Sequence, residues 1–339
     1  MDSILFSLKH LGRIFKYISF KKIFNLIHLR YSYQINQLAR SKNRFYQPHY
    51  ISIELSNYCN LKCPECPVGT RENSHLTKNN FELELLTKII DELKSNLFHA
   101  ILYFQGEPFL NPNWFKIVRY INTAKIYTST STNGQMLNKQ IAEKIILSGL
   151  DKLIVSIDGN TQDVYEQYRV GGNLAKVIEG IENVNYFKKK FNSVSPFIEI
   201  QFLVLKTNEH QLNDMRILAK KLNANKLSFK TAQLYDYKNG NPRMTTISKY
   251  SRYKKTKVGT YVLKHKQPNK CWRMWSGAVV NVNGEILPCC FDKESEYSFG
   301  NVRNSTFTDC WNSKIAFDFR ESILTNRKQF EMCRNCTSN

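Results

Sequence analysis

The sequence predicts an α/β fold in which six strands alternate with amphipathic helices around a barrel-like parallel sheet, followed by a small cysteine-rich module. Three observations carry that expectation. After Pro48, short apolar runs alternate with segments of helical period. Four consecutive strands end in polar turns that contain glycine or cysteine. The nine cysteines of the 339 residues gather in clusters toward the two ends of the chain. A chain of this length suits one large domain with an accessory module. Its 42% apolar content supports a sizeable core and excludes wholesale disorder.

Residues 1–48 read as a basic, amphipathic helical leader. Met1 to Arg30 is rich in Ile, Leu and Phe, but Lys9, Arg13, Lys16, Lys21 and Lys22 interrupt it. No uncharged run of about 18 residues predicts a spanning helix, and no apolar core followed by a small-residue cleavage site predicts a signal peptide. Three roles fit one or two such helices: docking on the body of the protein, lying on an anionic membrane surface with the apolar face in the headgroup layer, or serving as a nucleic-acid arm.

Residues 49–235 carry the alternation. Strands are expected at Ile51–Leu55, Ala100–Phe104, Lys125–Ser129, Lys152–Ile157, Phe197–Leu205 and Lys226–Lys230. Helices are expected at Phe81–Asn96, Trp114–Ile121, Asn138–Leu147, Leu174–Phe191 and Glu209–Leu222. Such alternation implies a parallel sheet with right-handed crossovers. Asn57-Tyr58-Cys59, Gln105-Gly106-Glu107-Pro108, Ser131-Thr132-Asn133-Gly134 and Ser156-Ile157-Asp158-Gly159 close the first four strands. The working face of parallel α/β sheets lies at those carboxyl ends, so a run of four favours a barrel ringed by one shared site. Residues 236–270 lose periodicity and read as a polar, basic connector. In residues 271–339 a hairpin is expected, Ala278–Val282 and Glu285–Pro288 about an Asn283-Gly284 turn. Short helices at Phe307–Asn312 and Ile315–Leu324 follow.

The cysteines point to chemistry. They are too sparse for a disulfide scaffold and their number is odd, which suits metal or redox work in a reducing cytosol. Cys59, Cys63 and Cys66 form C-x3-C-x2-C directly after the first strand. Three thiolates in eight residues suit one side of a 4Fe–4S cluster with an open iron. A structural zinc would need a fourth ligand from elsewhere. Cys271, Cys289, Cys333 and Cys336 supply a second set of four, in which Cys333-x2-Cys336 is a two-point clip. Cys290 is an alternative to Cys289, and Cys310 reads as a buried small hydrophobe.

Cys59-Asn-Leu-Lys-Cys63-Pro-Glu-Cys66 resembles the hallmark of the radical S-adenosylmethionine enzymes. Gly106-Glu107-Pro108 resembles the end of that superfamily's Gly-Gly-Glu-Pro motif. Thr132-Asn133-Gly134, Ser156-Ile157-Asp158-Gly159 and Tyr165-Glu-Gln-Tyr168-Arg169 resemble segments of its SPASM/twitch branch, and Cys289, five residues after Gly284, matches the Gly-x4-Cys element of those modules. Gln105 departs from the first glycine of Gly-Gly-Glu-Pro, and Glu65 stands where many members carry an aromatic residue. The resemblance runs from about Ile51 to Cys336.

It implies a partial (β/α)6 TIM-type barrel and a C-terminal SPASM/twitch-like module. Cys59, Cys63 and Cys66 would then hold three irons of a 4Fe–4S cluster whose fourth binds S-adenosylmethionine. Gly106, Glu107, Ser156 and Arg169 would contact S-adenosylmethionine, with Arg169 on its carboxylate. Cys271, Cys289, Cys333 and Cys336 would hold one auxiliary 4Fe–4S cluster. Reductive cleavage would yield a 5′-deoxyadenosyl radical that abstracts a substrate hydrogen. Asp292 would serve as the proton acceptor of an assisted oxidation. The competing roles are plain ones: turn capping and a surface salt bridge for Ser156, Asp158 and Arg169, and a hairpin-end aspartate paired with Lys293 or Arg303 for Asp292.

The leading functional expectation is therefore a radical oxidoreductase. It would act on a sugar, aminocyclitol or related anionic or lipid-linked small molecule and take electrons from a flavodoxin- or ferredoxin-type donor. The alternative is a maturase of a ribosomally made peptide or protein. A non-enzymatic zinc protein that binds nucleic acid through the net charge of +21 is a further class, but the charge reads as spread along the chain, which disfavours nucleic acid. The expected location is cytoplasmic, with peripheral contact to the inner membrane face through the leader helices.

Overall fold

The structure is a computed structural model that describes residues 12, 14–39, 47–70 and 77–337. Residues 1–11 of the expected leader, with Lys9, and Arg13 lie outside the described residues. The strands are β1 (Tyr50–Ile53), β2 (His99–Ile101), β3 (Tyr127–Thr132), β4 (Lys152–Ser156), β5 (Phe197–Val204), β6 (Lys226–Thr231), β7 (Tyr253–Lys255), β8 (Tyr261–Leu263), β9 (Gly277–Val280) and β10 (Ile286–Leu287). All six strands expected in the alternating region are present, with ends shifted by at most three residues. The described chain divides into two compact bodies that interleave along the sequence.

The first body comprises the described parts of 59–76 and 130–266. Here β4, β5 and β6 pair in parallel, Lys152–Ser156 with Phe197–Gln201 and Glu199–Val204 with Lys226–Thr231. The intervening helices form where an Asn can take an orphan amide. Asn138 accepts from Ile141 N and opens Lys139–Ser148, and Asn173 accepts from Lys176 N and opens Leu174–Lys190. Gly149, with φ of +78°, closes the first of these in the left-handed conformation. The expected helix over 209–222 begins as a 3-10 turn, Glu209–Gln211, before the α-helix Leu212–Lys221. The connector is not featureless. β7 and β8 form an antiparallel hairpin, Tyr253 opposite Leu263 and Lys255 opposite Tyr261.

The second body comprises the described parts of 12–58, 77–129 and 267–339. β1 pairs in parallel with β2, and β2 with β3 over Tyr127–Ser129. The expected C-terminal hairpin is present as β9 and β10, and β9 continues the sheet by pairing in parallel with β1, Tyr50 opposite Gly277. Its helices include Leu83–Leu93, Trp114–Thr123, Phe307–Trp311 and Lys314–Asn326. Thr306 and Ser313 cap the last two.

The helix Phe20–Ala39 of this body is amphipathic in the reverse sense. Its buried face carries Lys22, Asn25, Leu29, Ser32, Tyr33 and Asn36, while Phe20 (90% exposed), Ile23, Phe24, Ile27, Tyr31 and Leu38 stand outward. Three of the buried polar side chains donate to backbone carbonyls. Lys22 Nζ donates to Lys125 O at 2.6 Å, Asn25 Nδ2 to Gln47 O at 2.7 Å, and Asn36 Nδ2 to Ser32 O at 2.8 Å. Tyr33 packs edge-on to Trp272 and Trp275. Among the described residues, no helix is long and apolar enough to cross a membrane.

Candidate iron–sulfur centres

The first body holds Cys59, Cys63 and Cys66 in a loop stitched to itself and its surroundings. Cys66 N donates to Cys63 O at 3.1 Å, Thr70 N to Cys66 O at 2.9 Å, and Lys62 N to Val170 O at 3.1 Å. Gly69 permits the return of the chain: a Cβ there would stand 2.4 Å from Cys63 O and 2.6 Å from Cys63 N. Beneath the loop Leu61, Cys63, Tyr168, Leu205, Ala232, Leu234 and Tyr253 form one apolar cluster.

Donors converge on the sulfurs. Asn133, in the Thr132-Asn133-Gly134 turn after β3, directs Nδ2 to Cys59 Sγ at 3.5 Å and to Asn60 Oδ1 at 2.7 Å, and Leu61 N lies 3.5 Å from Cys59 Sγ. Arg169 sends Nη1 to Cys63 Sγ at 3.8 Å and Nε to Asp158 Oδ2 at 2.6 Å. Asp158 in turn accepts from Leu203 N at 2.5 Å. Burial pushes the Cys63 thiol up, against the pull of Arg169. Burial also works against the charge of Arg169, but Asp158 and Cys63 outweigh it and hold the guanidinium firmly protonated. Ser156 is the half-buried last residue of β4. Glu65 is accounted for too: its Oε1 accepts from Asn241 Nδ2 at 3.2 Å and from Arg243 Nη1 at 3.3 Å.

In the second body Gly106 lies against the backbone that leads to the cysteine loop. A Cβ there would stand 2.3 Å from Ser56 O and 2.4 Å from Tyr58 O, so the position admits only glycine. Glu107 N donates to Tyr58 O at 2.8 Å, and the buried Glu107 carboxylate accepts from Phe109 N at 3.3 Å, capping the Pro108–Leu110 turn. Gln105 puts its extra length to use by donating Nε2 to Lys293 O at 2.8 Å.

The same body gathers Cys271, Cys289, Cys333 and Cys336, all buried. Electrostatic interactions link them: Cys289 with its neighbour Cys290 and with Cys271 and Cys333, and Cys333 with Cys271 and Cys336. Burial leads the upward shift of each of the first three, and Cys333 reaches about 11. Arg327 was not foreseen. It is 1% exposed and donates Nη2 to Cys336 Sγ at 3.2 Å. Gln267 Nε2 ties Cys333 O and Cys336 O at 2.6 and 2.8 Å. Cys290 turns elsewhere. Arg273 Nη1 donates to its sulfur at 2.9 Å, and it packs on Phe104, Val279 and Leu287.

Asp292 does not make the expected pair with Lys293 or Arg303. Its Oδ1 accepts from Glu296 N at 2.9 Å and its Oδ2 from Tyr297 N at 3.1 Å, so the carboxylate closes a turn. Burial raises its pKa, opposed by those two amides. Lys293 instead lies over the Phe104 ring, and Arg303 makes a two-pronged pair with Glu82.

Among the described residues no group of three or more His, Cys, Asp or Glu side chains is set to hold a single metal ion. A single zinc would require sulfurs about 3.8 Å apart around bonds of about 2.3 Å. A cubane is wider, and its sulfur ligands are steadied by N–H and guanidinium donors. Asn133 and Arg169 at the loop, and Arg327 at the second set, are donors of that kind, so both sets of thiols fit iron–sulfur clusters.

Comparison with known proteins agrees with this chemistry. Residues 53–195 match the model of the radical SAM superfamily, and residues 271–337 match that of an iron–sulfur cluster-binding domain, SPASM. The chain belongs to the radical SAM superfamily: it is an enzyme with a partial barrel, and its cofactors are 4Fe–4S clusters and S-adenosylmethionine. Its branch within the superfamily is the one that carries a SPASM domain.

The tungsten-containing aldehyde ferredoxin oxidoreductase cofactor-modifying protein of Pyrococcus furiosus is 26% identical over 318 residues, covering 85% of this chain and 87% of that protein. The PqqA peptide cyclase of Gluconobacter oxydans is 23% identical over 310 residues, covering 85% and 82%. Among solved structures, Streptococcus suis SuiB bound to precursor peptide SuiA shares the fold with a TM-score of 0.61 at 15% identity, covering 88% of this chain and 72% of that one. SuiB has also been solved bound to S-adenosylmethionine.

Proposed function

We propose that the protein is a radical SAM maturase that modifies a ribosomally made peptide or protein. The observation that carries this reading is the similarity to a peptide cyclase over 85% of the chain, joined to a fold shared with a precursor-peptide enzyme. The sugar or aminocyclitol oxidation expected from the sequence has less behind it. In this reading Cys59, Cys63 and Cys66 hold the S-adenosylmethionine cluster, and Cys271, Cys289, Cys333 and Cys336 hold the auxiliary one. The cluster and S-adenosylmethionine together supply a hydrogen-abstracting radical, fed by a flavodoxin- or ferredoxin-type donor. Arg169 and Asn133 steady the thiolates of the loop, and Arg169, with Ser156, Gly106 and Glu107, orients S-adenosylmethionine. Asp292, held in its turn by two amides, is the candidate proton acceptor.

The test is anaerobic reconstitution and reduction with S-adenosylmethionine, followed by addition of the peptide fraction of cells that make the protein. Formation of 5′-deoxyadenosine should rise, and prior digestion of that fraction with protease should abolish the rise. A stimulation that survives protease but is lost on carbohydrate removal would restore the sugar reading.

The reversed helix supports action at a membrane surface. Phe20, Ile23, Phe24, Ile27 and Tyr31 form one outward apolar stripe, while the exposed Lys21 and Arg30 flank it on opposite sides. An apolar stripe with basic margins suits the headgroup layer of an anionic bilayer. Co-sedimentation of the intact protein with phosphatidylserine vesicles should be lost in F20E/F24E/I27E and weak with phosphatidylcholine alone. Equal partitioning of both proteins refutes the location.

A further inference from the structure

The positive charge of the chain is less evenly spread than its overall composition suggests. Residues 236–269 contain nine Lys or Arg against one acid, Asp236, a net of +8 out of +21 for the whole chain. Folding concentrates it further. In the first body, this connector and the residue Lys206 wall an open depression of about 470 Å³, within the roughly 300–1,000 Å³ of ligand pockets. Lys206, Lys254, Lys255 and Lys264 line it together with the hydroxyls of Thr245, Thr246, Ser248 and Ser251, and no acidic side chain is among its lining residues.

The nearby carboxylates are engaged behind the wall. Glu209 accepts from Thr245 Oγ1, Thr246 N and Thr246 Oγ1, and Glu65 accepts from Asn241 and Arg243. The floor is apolar. Met244, Tyr253 and Tyr261 line the depression and belong to the cluster that also packs Cys59, Cys63 and Cys66. Glu65, one residue before Cys66, thus fastens the cysteine loop to the Asn241–Arg243 turn of the same wall.

We infer that this depression is a docking site for an acidic, partly apolar segment of a polypeptide substrate. Four lysines at three places along the chain, Lys206, the adjacent Lys254 and Lys255, and Lys264, are point charges, which suit carboxylates strung along a chain. The site has no guanidinium fork and no α-helix N-terminus among its lining residues, only the start of the single 3-10 turn Ser248–Tyr250, so the features that grip a phosphate group are lacking. An apolar floor beneath the charges further favours a peptide that carries hydrophobic side chains between its acids. The inference deepens the maturase reading and rests on it for the identity of the peptide as substrate.

The probe is a fluorescein-labelled octapeptide of alternating Glu and Leu, titrated into the holoenzyme and followed by anisotropy, with the Gln–Leu octapeptide as control. K254E/K255E, on exposed positions of β7, should weaken the acidic peptide by roughly tenfold or more. K220E/K221E, with the same charge change on the helix Leu212–Lys221 outside the depression, should change it less than about twofold. Equal effects of the two pairs, or equal binding of the Gln–Leu peptide, overturn the proposal. Tripolyphosphate that saturates the site without being displaced by the acidic peptide overturns it in favour of a phosphate ligand. Peptide-independent 5′-deoxyadenosine formation, measured on the same samples, separates the two readings. If it is absent while the pocket variants still discriminate, radical chemistry fails and the docking site stands. If it is present without discrimination, the docking site fails alone.

Discussion

Replacing Asp158 by alanine probes the wall of the cysteine loop most directly. The carboxylate is 1% exposed, with Oδ2 2.6 Å from Arg169 Nε and Oδ1 accepting from Leu203 N at 2.5 Å. Truncation strands a guanidinium that is itself only 17% exposed. Removing one partner of a buried pair costs about 3–5 kcal/mol, and an unmet backbone N–H adds about 1 kcal/mol. Water reaching the exposed edge of Arg169 recovers part of this, so the net loss should be about 3–4 kcal/mol. In D158A/R169M the stranded charge is gone, and a double-mutant cycle in urea should return a coupling of about 2 kcal/mol. A second readout distinguishes support of the cluster from bulk stability. Arg169 also reaches Cys63 Sγ, so its release should alter the electron paramagnetic resonance spectrum of the reduced cluster at temperatures where D158A remains folded. A coupling below about 0.5 kcal/mol together with an unchanged spectrum refutes the reasoning.

Three further outcomes are expected. Gly106→Ala drives a methyl group into Ser56 O and Tyr58 O and should cost at least about 1–3 kcal/mol in urea unfolding, with 5′-deoxyadenosine formation reduced more steeply than stability. Cys289→Ser should halve the iron of reconstituted protein from roughly eight per chain, whereas Cys290→Ser should leave it unchanged; loss of iron from the second variant would reverse the ligand assignment. Burial lowers Lys22 from 10.5 to about 8. Between those values the unfolded chain keeps a proton that the folded chain has released, so stability should gain from Lys22 as pH rises from about 8 to 10.5. The difference in urea midpoint between wild type and Lys22→Met should therefore change across that window, and a constant difference would contradict the assignment.

What the sequence made legible follows from the range of the forces involved. Alternating apolar runs and Asn caps are local, so the strands and the helices after Asn138 and Asn173 could be read to within three residues at each end. The cysteine spacing is local as well. The hairpin β7–β8 was missed because two three-residue strands, Tyr253–Lys255 and Tyr261–Leu263, are too short to carry a period-2 signal, and its left-handed Gly259, with φ of +90°, is one glycine in a polar stretch. Arg327 and the tie from Glu65 to Arg243 were missed because nothing local announces a partner, 178 residues away in the second case. The leader's periodicity was visible, but periodicity does not say which face turns inward. Here buried Lys22, Asn25 and Asn36 found backbone acceptors, and that reversed the expected sense.

The pairing of β1 with β9 joins Tyr50 to Gly277, positions 227 residues apart (277 − 50). During synthesis β1 emerges long before its neighbour exists, so its edge stays unmatched until most of the chain has been made. Loop closure over such a span is slow, and contact order of this kind retards folding far more than it weakens the folded state. One edge of β1 therefore waits for β9 through the synthesis of all the residues between them. Heterologous expression should accordingly respond to chaperone supply and growth temperature, and chains truncated before β9 should aggregate through the open edge of β1.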